Sequence, residues 1–255
     1  MVDNLKSSFI KFFTLLGKMN LFTQKTLKTL FTKRVPTDII LQNMYDIGVK
    51  TLPVLGAICI FVGTNMAFVG YQIFKQFGGQ DLLGVYVGLS CIREMAPILV
   101  GAIMAAKPGT DMTATIATMR VKEQIDALEV MAIDPFWFLI VPRLLAFIFV
   151  APLLVIFADF FCIFSAYMTA VFQLKLASGK FIEDMVTYLQ VLDFFKGITK
   201  GFVSSVLVCI ISCYFGFNSA PGPKGVSKAI NTAVVISASL IVVVNYFMTE
   251  IMYGT

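Results

Sequence analysis

The chain contains no histidine, a single tryptophan and few charges. Without histidine there is no His-ligated zinc or haem and no Ser–His–Asp nucleophile system. No G-x-x-x-x-G-K-[ST] phosphate loop is present either: Gly17-Lys18 is followed by Met19, and Gly179-Lys180 by Phe181. If the protein uses ATP, another subunit must hydrolyse it, so a non-catalytic chain with no cofactor is expected. Charged residues make up 14% of the 255 positions, against about 25% in soluble domains. The first fifty residues hold eight Lys or Arg, with no compact apolar run before a small-residue cleavage site, so no cleaved signal peptide is expected. The sequence has no internal repeat, no low-complexity tract and no inverted duplication of the kind many carriers show.

Apolar residues fill that space. They are 58% of the chain, 25 of them phenylalanine, and the mean hydropathy is +0.86. A membrane-spanning helix needs about 20 mainly apolar residues. Five runs qualify: 51–74, uncharged; 82–106, broken by Arg93 and Glu94; 144–174, broken by Asp159; 201–223, uncharged; and 229–249, uncharged. The fold class expected is an all-α integral membrane protein with five transmembrane helices. Ser219–Gly225 reads as the turn between the last two spans.

The net charge of +5 reads as a sidedness signal rather than a nucleic-acid surface. Residues 1–50, 107–143 and 224–228 carry fourteen Lys or Arg, and the segments on the other side carry five. The positive-inside bias places the N-terminus in the cytoplasm and the C-terminus outside. Before the first span, Leu5, Phe9, Phe12, Leu16 and Met19 share a helical face, with Lys11, Lys18 and Lys25 opposite. This pattern fits an amphipathic helix lying in the interface, or one packed on a partner.

Residues 107–134 sit between spans two and three and are too polar to cross lipid. Val121, Ile125, Leu128 and Ala132 mark one helical face; Lys122, Glu123, Asp126 and Glu129 mark the other. Lys122 and Asp126 are spaced for an i,i+4 pair, and Pro135 marks a boundary. The segment is either a solvated loop helix or a docking helix on which a cytoplasmic partner pushes. Arg93 and Glu94 lie at a depth where charge is costly and faces protein or water. They either make ion pairs with other helices or line a polar pathway; Asp159 poses the same choice and leans structural. Five cysteines, Cys59, Cys91, Cys162, Cys209 and Cys213, all fall in apolar runs. Cys209 and Cys213, at i,i+4, read as small apolar filler, with a metal or redox pair as the other reading.

Three stretches carry a family resemblance: Arg93-Glu94-Met95-Ala96-Pro97, MRVKEQIDALEVMAIDP over 119–135, and VPRLLA over 141–146. Together with Gly216, Gly222, Gly225, Ala229, Ala233 and Ser237, they resemble the MlaE/YrbE family, the permease subunits of MCE-associated lipid ABC transporters. The likeness runs from about residue 5 to Gly254. One departure is Ala105-Ala106-Lys107-Pro108-Gly109-Thr110, where the family often has A-G-R-x-G-[SA]; Lys107 lacks the planar fork of Arg.

The resemblance implies a single permease domain: an interfacial helix region over 1–47, spans one and two over 48–107, a cytoplasmic coupling helix over 108–134, and spans three to five over 135–255. It implies a homodimer in a bacterial inner membrane, or less readily a plastid envelope. Cytoplasmic ABC ATPase subunits would dock through Arg120, Lys122, Glu123, Asp126 and Glu129. An MCE-domain protein would sit on the far side, sometimes with a STAS-domain accessory subunit, and phospholipid or another hydrophobic lipid would be the cargo. By position, Met66, Ile73, Phe74 and Phe77 would line the lipid cavity, with Arg93 and Glu94 close by. A self-contained ion-coupled carrier or channel using Arg93, Glu94 and Asp159 is the competing reading. A membrane-embedded lipid enzyme is a weaker third, because so few membrane carboxylates could serve as its base.

Overall fold

A computed structural model describes residues 2–32 and 35–254, with side chains from residue 13 onward. Every regular element in that range is helical. The helices are α1 (Val2–Thr32), α2 (Thr37–Gly48), α3 (Leu52–Gln76), α4 (Leu83–Ser90), α5 (Ala96–Met104), α6 (Thr110–Val121), α7 (Gln124–Val130), α8 (Val141–Met168), α9 (Ser178–Tyr188), α10 (Val191–Phe217) and α11 (Pro223–Tyr253). They form five runs long and apolar enough to cross a membrane: Thr37–Gln76, Gln80–Val121, Phe136–Gln173, Val191–Phe217 and Pro223–Tyr253. All five expected spans are present. Their extents differ from the uncharged or nearly uncharged runs: the first begins at Thr37, the second continues to Val121, the third begins at Phe136, the fourth begins ten residues before Gly201, and the fifth runs from Pro223 to Tyr253.

Lipid gives helices no hydrophobic reason to associate, so close backbone packing at small residues takes over. The buried stripe of α3, which includes Gly56, Cys59, Gly63, Ala67 and Gly70, shows this. A Cβ on Gly63 would overlap the Cys162 carbonyl and the Ser165 hydroxyl of α8. The buried side of α10 is equally small: Gly197, Gly201, Ser204, Ser205, Cys209 and Ser212. A Cβ on Gly197 would strike the Ile92 carbonyl, and one on Gly201 would strike Val155.

The second and third spans are interrupted by π-helical turns at Cys91–Met95, Ala105–Gly109, Phe136–Ile140 and Thr169–Gln173. Three of the four contain or precede a proline: Pro97, Pro108 and Pro142. Proline lacks the N–H for the carbonyl four residues back, and a widened turn is one way a helix accommodates it.

On α1, the side chains of Leu5, Phe9, Lys11 and Phe12 lie outside the described residues. Further along, the docked stripe is Leu15, Met19, Phe22, Thr26 and Thr29, whereas Leu16 is exposed. The buried face is thus turned from the expected one. An aromatic cluster explains the turn: Phe22 packs on Phe136 (ring centroids 5.1 Å), Tyr214 (5.6 Å) and Phe217 (6.0 Å). Lys25 sits 4.2 Å over the Phe136 ring.

The 108–134 segment is not one helix. α6 continues the second span to Val121, and Glu123 then takes a left-handed conformation (φ 57°) that breaks the chain before α7. Lys122 does not pair with Asp126; Arg120, from the end of α6, reaches across the break to that carboxylate. Ala132 is also left-handed (φ 60°), so the second stop falls before Pro135. Ile125 is buried and Leu128 packs on the core, as their shared face requires.

Candidate functional site

The two intramembrane charges of the second span are built into a polar cluster that the sequence reading saw only in part. Pro97 cannot donate to the carbonyl of Arg93. Lys200, on α10, fills that vacancy: its Nζ donates to Arg93 O (2.8 Å), to Glu94 Oε1 (2.8 Å) and to Thr249 Oγ1 of α11 (2.7 Å). All three ammonium hydrogens are thereby used, and Lys200 is 0% exposed. Gly197 and Gly201 flank it and bring α10 against the π-turn that carries Arg93. The other carboxylate oxygen, Glu94 Oε2, accepts from Asn245 Nδ2 (2.7 Å). The Thr249 hydroxyl lies 2.8 Å from Glu94 Oε1 and from Asn245 O.

Arg93 points away from Glu94. Its Nη2 reaches Asp193 Oδ2 on α10 at 3.0 Å. Asp193 also closes the capping box that starts α10 with Gln190. Tyr253 lies among three cations: Lys196 Nζ 4.4 Å, Arg93 Cζ 4.7 Å and Lys200 Nζ 5.1 Å from its ring centroid. Buried charge survives in such a place when it is paired and hydrogen-bonded; both charges are paired, although Arg93 Nε has no hydrogen-bond partner among the described residues. The cluster is not sealed: the Arg93 and Glu94 side chains remain 36% and 31% exposed.

Sequence reasoning missed Asp193, Lys196, Lys200, Asn245, Thr249 and Tyr253. Lys196 and Lys200 were counted as charges outside the membrane because the apolar run was read from Gly201. The usable signal was Asp193, Lys196 and Lys200 at i, i+3 and i+7, interleaved with Gly197-x-x-x-Gly201.

Beside this cluster, the exposed side of α3 forms a cleft of about 300 Å³ lined by Phe61, Val62, Asn65, Met66, Val69 and Tyr86. Met66 joins it to the charged turn, since Cys91 Sγ lies 3.8 Å from Met66 Sδ. Of the four expected cavity residues, Met66 lines the cleft. Phe74 packs edge-on against Tyr86 at 5.7 Å. Ile73 and Phe77 point outward at the end of α3, Phe77 81% exposed.

Asp159 is buried in α8, and neither carboxylate oxygen has a hydrogen-bond partner among the described residues. Cys59 of α3 and Cys162 of α8 are likewise fully buried. All five cysteines are buried free thiols, and no group of three His, Cys, Asp or Glu among the described residues could hold a metal. Arg93 and Glu94 each have a charged partner on α10. At the end of the bundle that carries α1, α7 presents Glu123, Asp126 and Glu129 on its exposed side, followed by Val130 (89% exposed) and Met131. Arg120 is half-buried and held by Asp126, and Lys122 is exposed.

Five long apolar helices, small-residue packing and a charged cluster beside an apolar cleft define a multi-span membrane protein. The family profile described as Permease MlaE matches residues 40–251. The chain belongs to the MlaE permease family. It is 34% identical to a probable ABC transporter permease protein of Rickettsia felis, over 96% of this chain and 94% of that one. It is 30% identical to the intermembrane phospholipid transport system permease protein MlaE of Haemophilus influenzae, over 99% and 97%. It is 30% identical to a probable ABC transporter permease of Synechocystis, over 84% and 81%.

Proposed function

We propose that the chain is the membrane subunit of an ABC transporter that moves phospholipid, or a similarly hydrophobic lipid, between membranes. A separate cytoplasmic ATPase supplies the energy, and the permease works as a homodimer in a bacterial inner membrane with an MCE-domain protein on the far side. STAS-domain subunits are an optional addition.

The observation that carries this reading is the α3 cleft. Its wall is apolar apart from Asn65 and the Tyr86 hydroxyl, and it opens beside a charged cluster that is itself partly exposed. A lipid needs both kinds of surface. Each methylene buried in such a cleft contributes roughly 0.8 kcal/mol, and the Arg93–Asp193 and Glu94–Lys200 pairs offer polar groups to a head group. Met66 lies in the cleft wall, Phe74 acts through Tyr86, and Arg93 and Glu94 border it. Ile73 and Phe77 would join the site by meeting a second copy of the chain.

The coupling surface of this reading is α7 with its flanking turns. Arg120 and Asp126 lock the break between α6 and α7, which fixes the angle of α7 on the second span. Lys122, Glu123 and Glu129 then meet the ATPase as charges, and Val130 and Met131 as an apolar tip. Affinity purification of the tagged chain from its native membrane, read by mass spectrometry, tests the assignment. Recovery of an ABC ATPase in stoichiometric amount is expected; recovery of the permease without any nucleotide-binding subunit favours the self-contained carrier instead.

A further inference from the structure

A second cleft lies at the α1 end of the bundle, apart from the α3 cleft and its charged cluster. It has a volume of about 320 Å³. Its lining comes from the end of α2 and the link to α3 (Asn43, Asp46, Ile47, Lys50), from the proline-bearing turn and α6 (Pro108, Asp111, Met112, Thr115), and from Arg143 of α8. Its charges are only partly used. Lys50 Nζ pairs with Asp46 Oδ1 at 2.6 Å. Lys107 Nζ donates to the Lys50 carbonyl and so ties the α2–α3 link to the second span.

Arg143 and Asp111 remain. Arg143 is half-buried, and its guanidinium donates to the Leu139 carbonyl at 2.8 Å. It makes no ion pair with any described residue. Asp111 is exposed, and its carboxylate likewise has no ion-pair partner among the described residues. Two opposite charges thus line one cleft without reaching each other. A half-buried, planar guanidinium with unused donors is suited to an oxyanion that can accept two hydrogen bonds at once, such as phosphate. A carboxylate across the same cleft is suited to an ammonium. Met112 and Ile47 supply an apolar margin, and the first turn of an apolar span lies alongside.

We propose that this cleft binds the zwitterionic head group of a phosphoethanolamine lipid from the adjoining leaflet, with its phosphate on Arg143 and Lys50 and its ammonium on Asp111. Such a lipid bridges α2, the first half of α6 and α8, on the part of the second span that leads toward α7. Its occupancy fixes the base of the coupling segment from the membrane side. The site does not depend on the transport reading, since it shares no residue with the α3 cleft.

Native mass spectrometry of the full chain released from detergent micelles tests it. The probes are phosphatidylethanolamine, phosphatidylglycerol, phosphatidylcholine and inorganic phosphate. The wild type should retain phosphatidylethanolamine over phosphatidylcholine, whose methylated ammonium cannot donate to Asp111. Arg143→Gln should weaken retention about tenfold, the ratio given by losing about 1.4 kcal/mol of charge-assisted hydrogen bonding. Asp111→Asn, on an exposed position that leaves the fold intact, should shift preference toward phosphatidylglycerol. Equal retention of all three lipids, or unchanged retention in Asp111→Asn, overturns the assignment. So does displacement of the lipid by millimolar inorganic phosphate, which would mark a free-anion site instead. Loss of lipid captured at the α3 cleft with this pattern unchanged would bear on the transport reading alone.

Discussion

Lys200 is the residue on which the charged cluster turns. It fills the carbonyl that Pro97 leaves open on Arg93 and neutralises Glu94, with every ammonium hydrogen placed on a protein acceptor. Removing it strands a carboxylate and a carbonyl together. Lys200→Met should therefore destabilise the protein by about 3–5 kcal/mol, the usual cost of breaking one side of a buried pair. Adding Glu94→Met should recover most of that loss, because a well-packed apolar pair is often as stable as the ions it replaces. Thermal unfolding in detergent of the single and double variants decides it; equal melting of Lys200→Met and wild type would show that the pair does not hold the bundle. Sequence alone found Arg93 and Glu94 but not their partners. The fourth run was bounded by its lack of charge and so began at Gly201, which left Lys200, the charge immediately before it, outside. The pairing itself depends on which helices meet, and no local pattern carries that.

At the level of elements, what sequence made legible followed from length and apolarity. All five spans were found that way, and their interruptions by π-turns were not. A widened turn records a compromise between proline and the neighbouring helices, so the proline is visible in the sequence while the turn it produces is not. The 108–134 segment shows the same division. Ile125 and Leu128 face the core as their spacing required. The break at Glu123 escaped notice because a left-handed glutamate costs roughly 1–2 kcal/mol and has no sequence signature. The break gives a clean test of coupling. Asp126 is exposed and holds only Arg120, so Asp126→Lys should cost less than about 1 kcal/mol of stability. It should nevertheless reduce the amount of ATPase recovered with the permease. A thermal melt and a quantitative pull-down on the same preparation separate the two effects. Wild-type ATPase recovery from the folded variant would remove α7 from the coupling surface.

Across the whole molecule, the proposed topology has five crossings with the two ends of the chain on opposite sides of the membrane, and the excess of Lys and Arg around α1, α6 and α11 supports an N-terminal side in the cytoplasm. A cytoplasm-active reporter fused after Thr255 should be silent, and one that works only outside should be active. Strong activity of the cytoplasmic reporter requires an even number of crossings. The central claim is that the α3 cleft carries lipid under the control of a separate ATPase. A photo-crosslinking residue at Val69, inside the cleft, can be compared with one at Phe157, exposed on α8 outside it, after bulk lipid has been stripped by detergent. The account predicts phospholipid captured at Val69, little at Phe157, and a Val69 yield that changes when the ATPase is removed. Equal labelling at the two positions, or a Val69 yield indifferent to the ATPase, would contradict it.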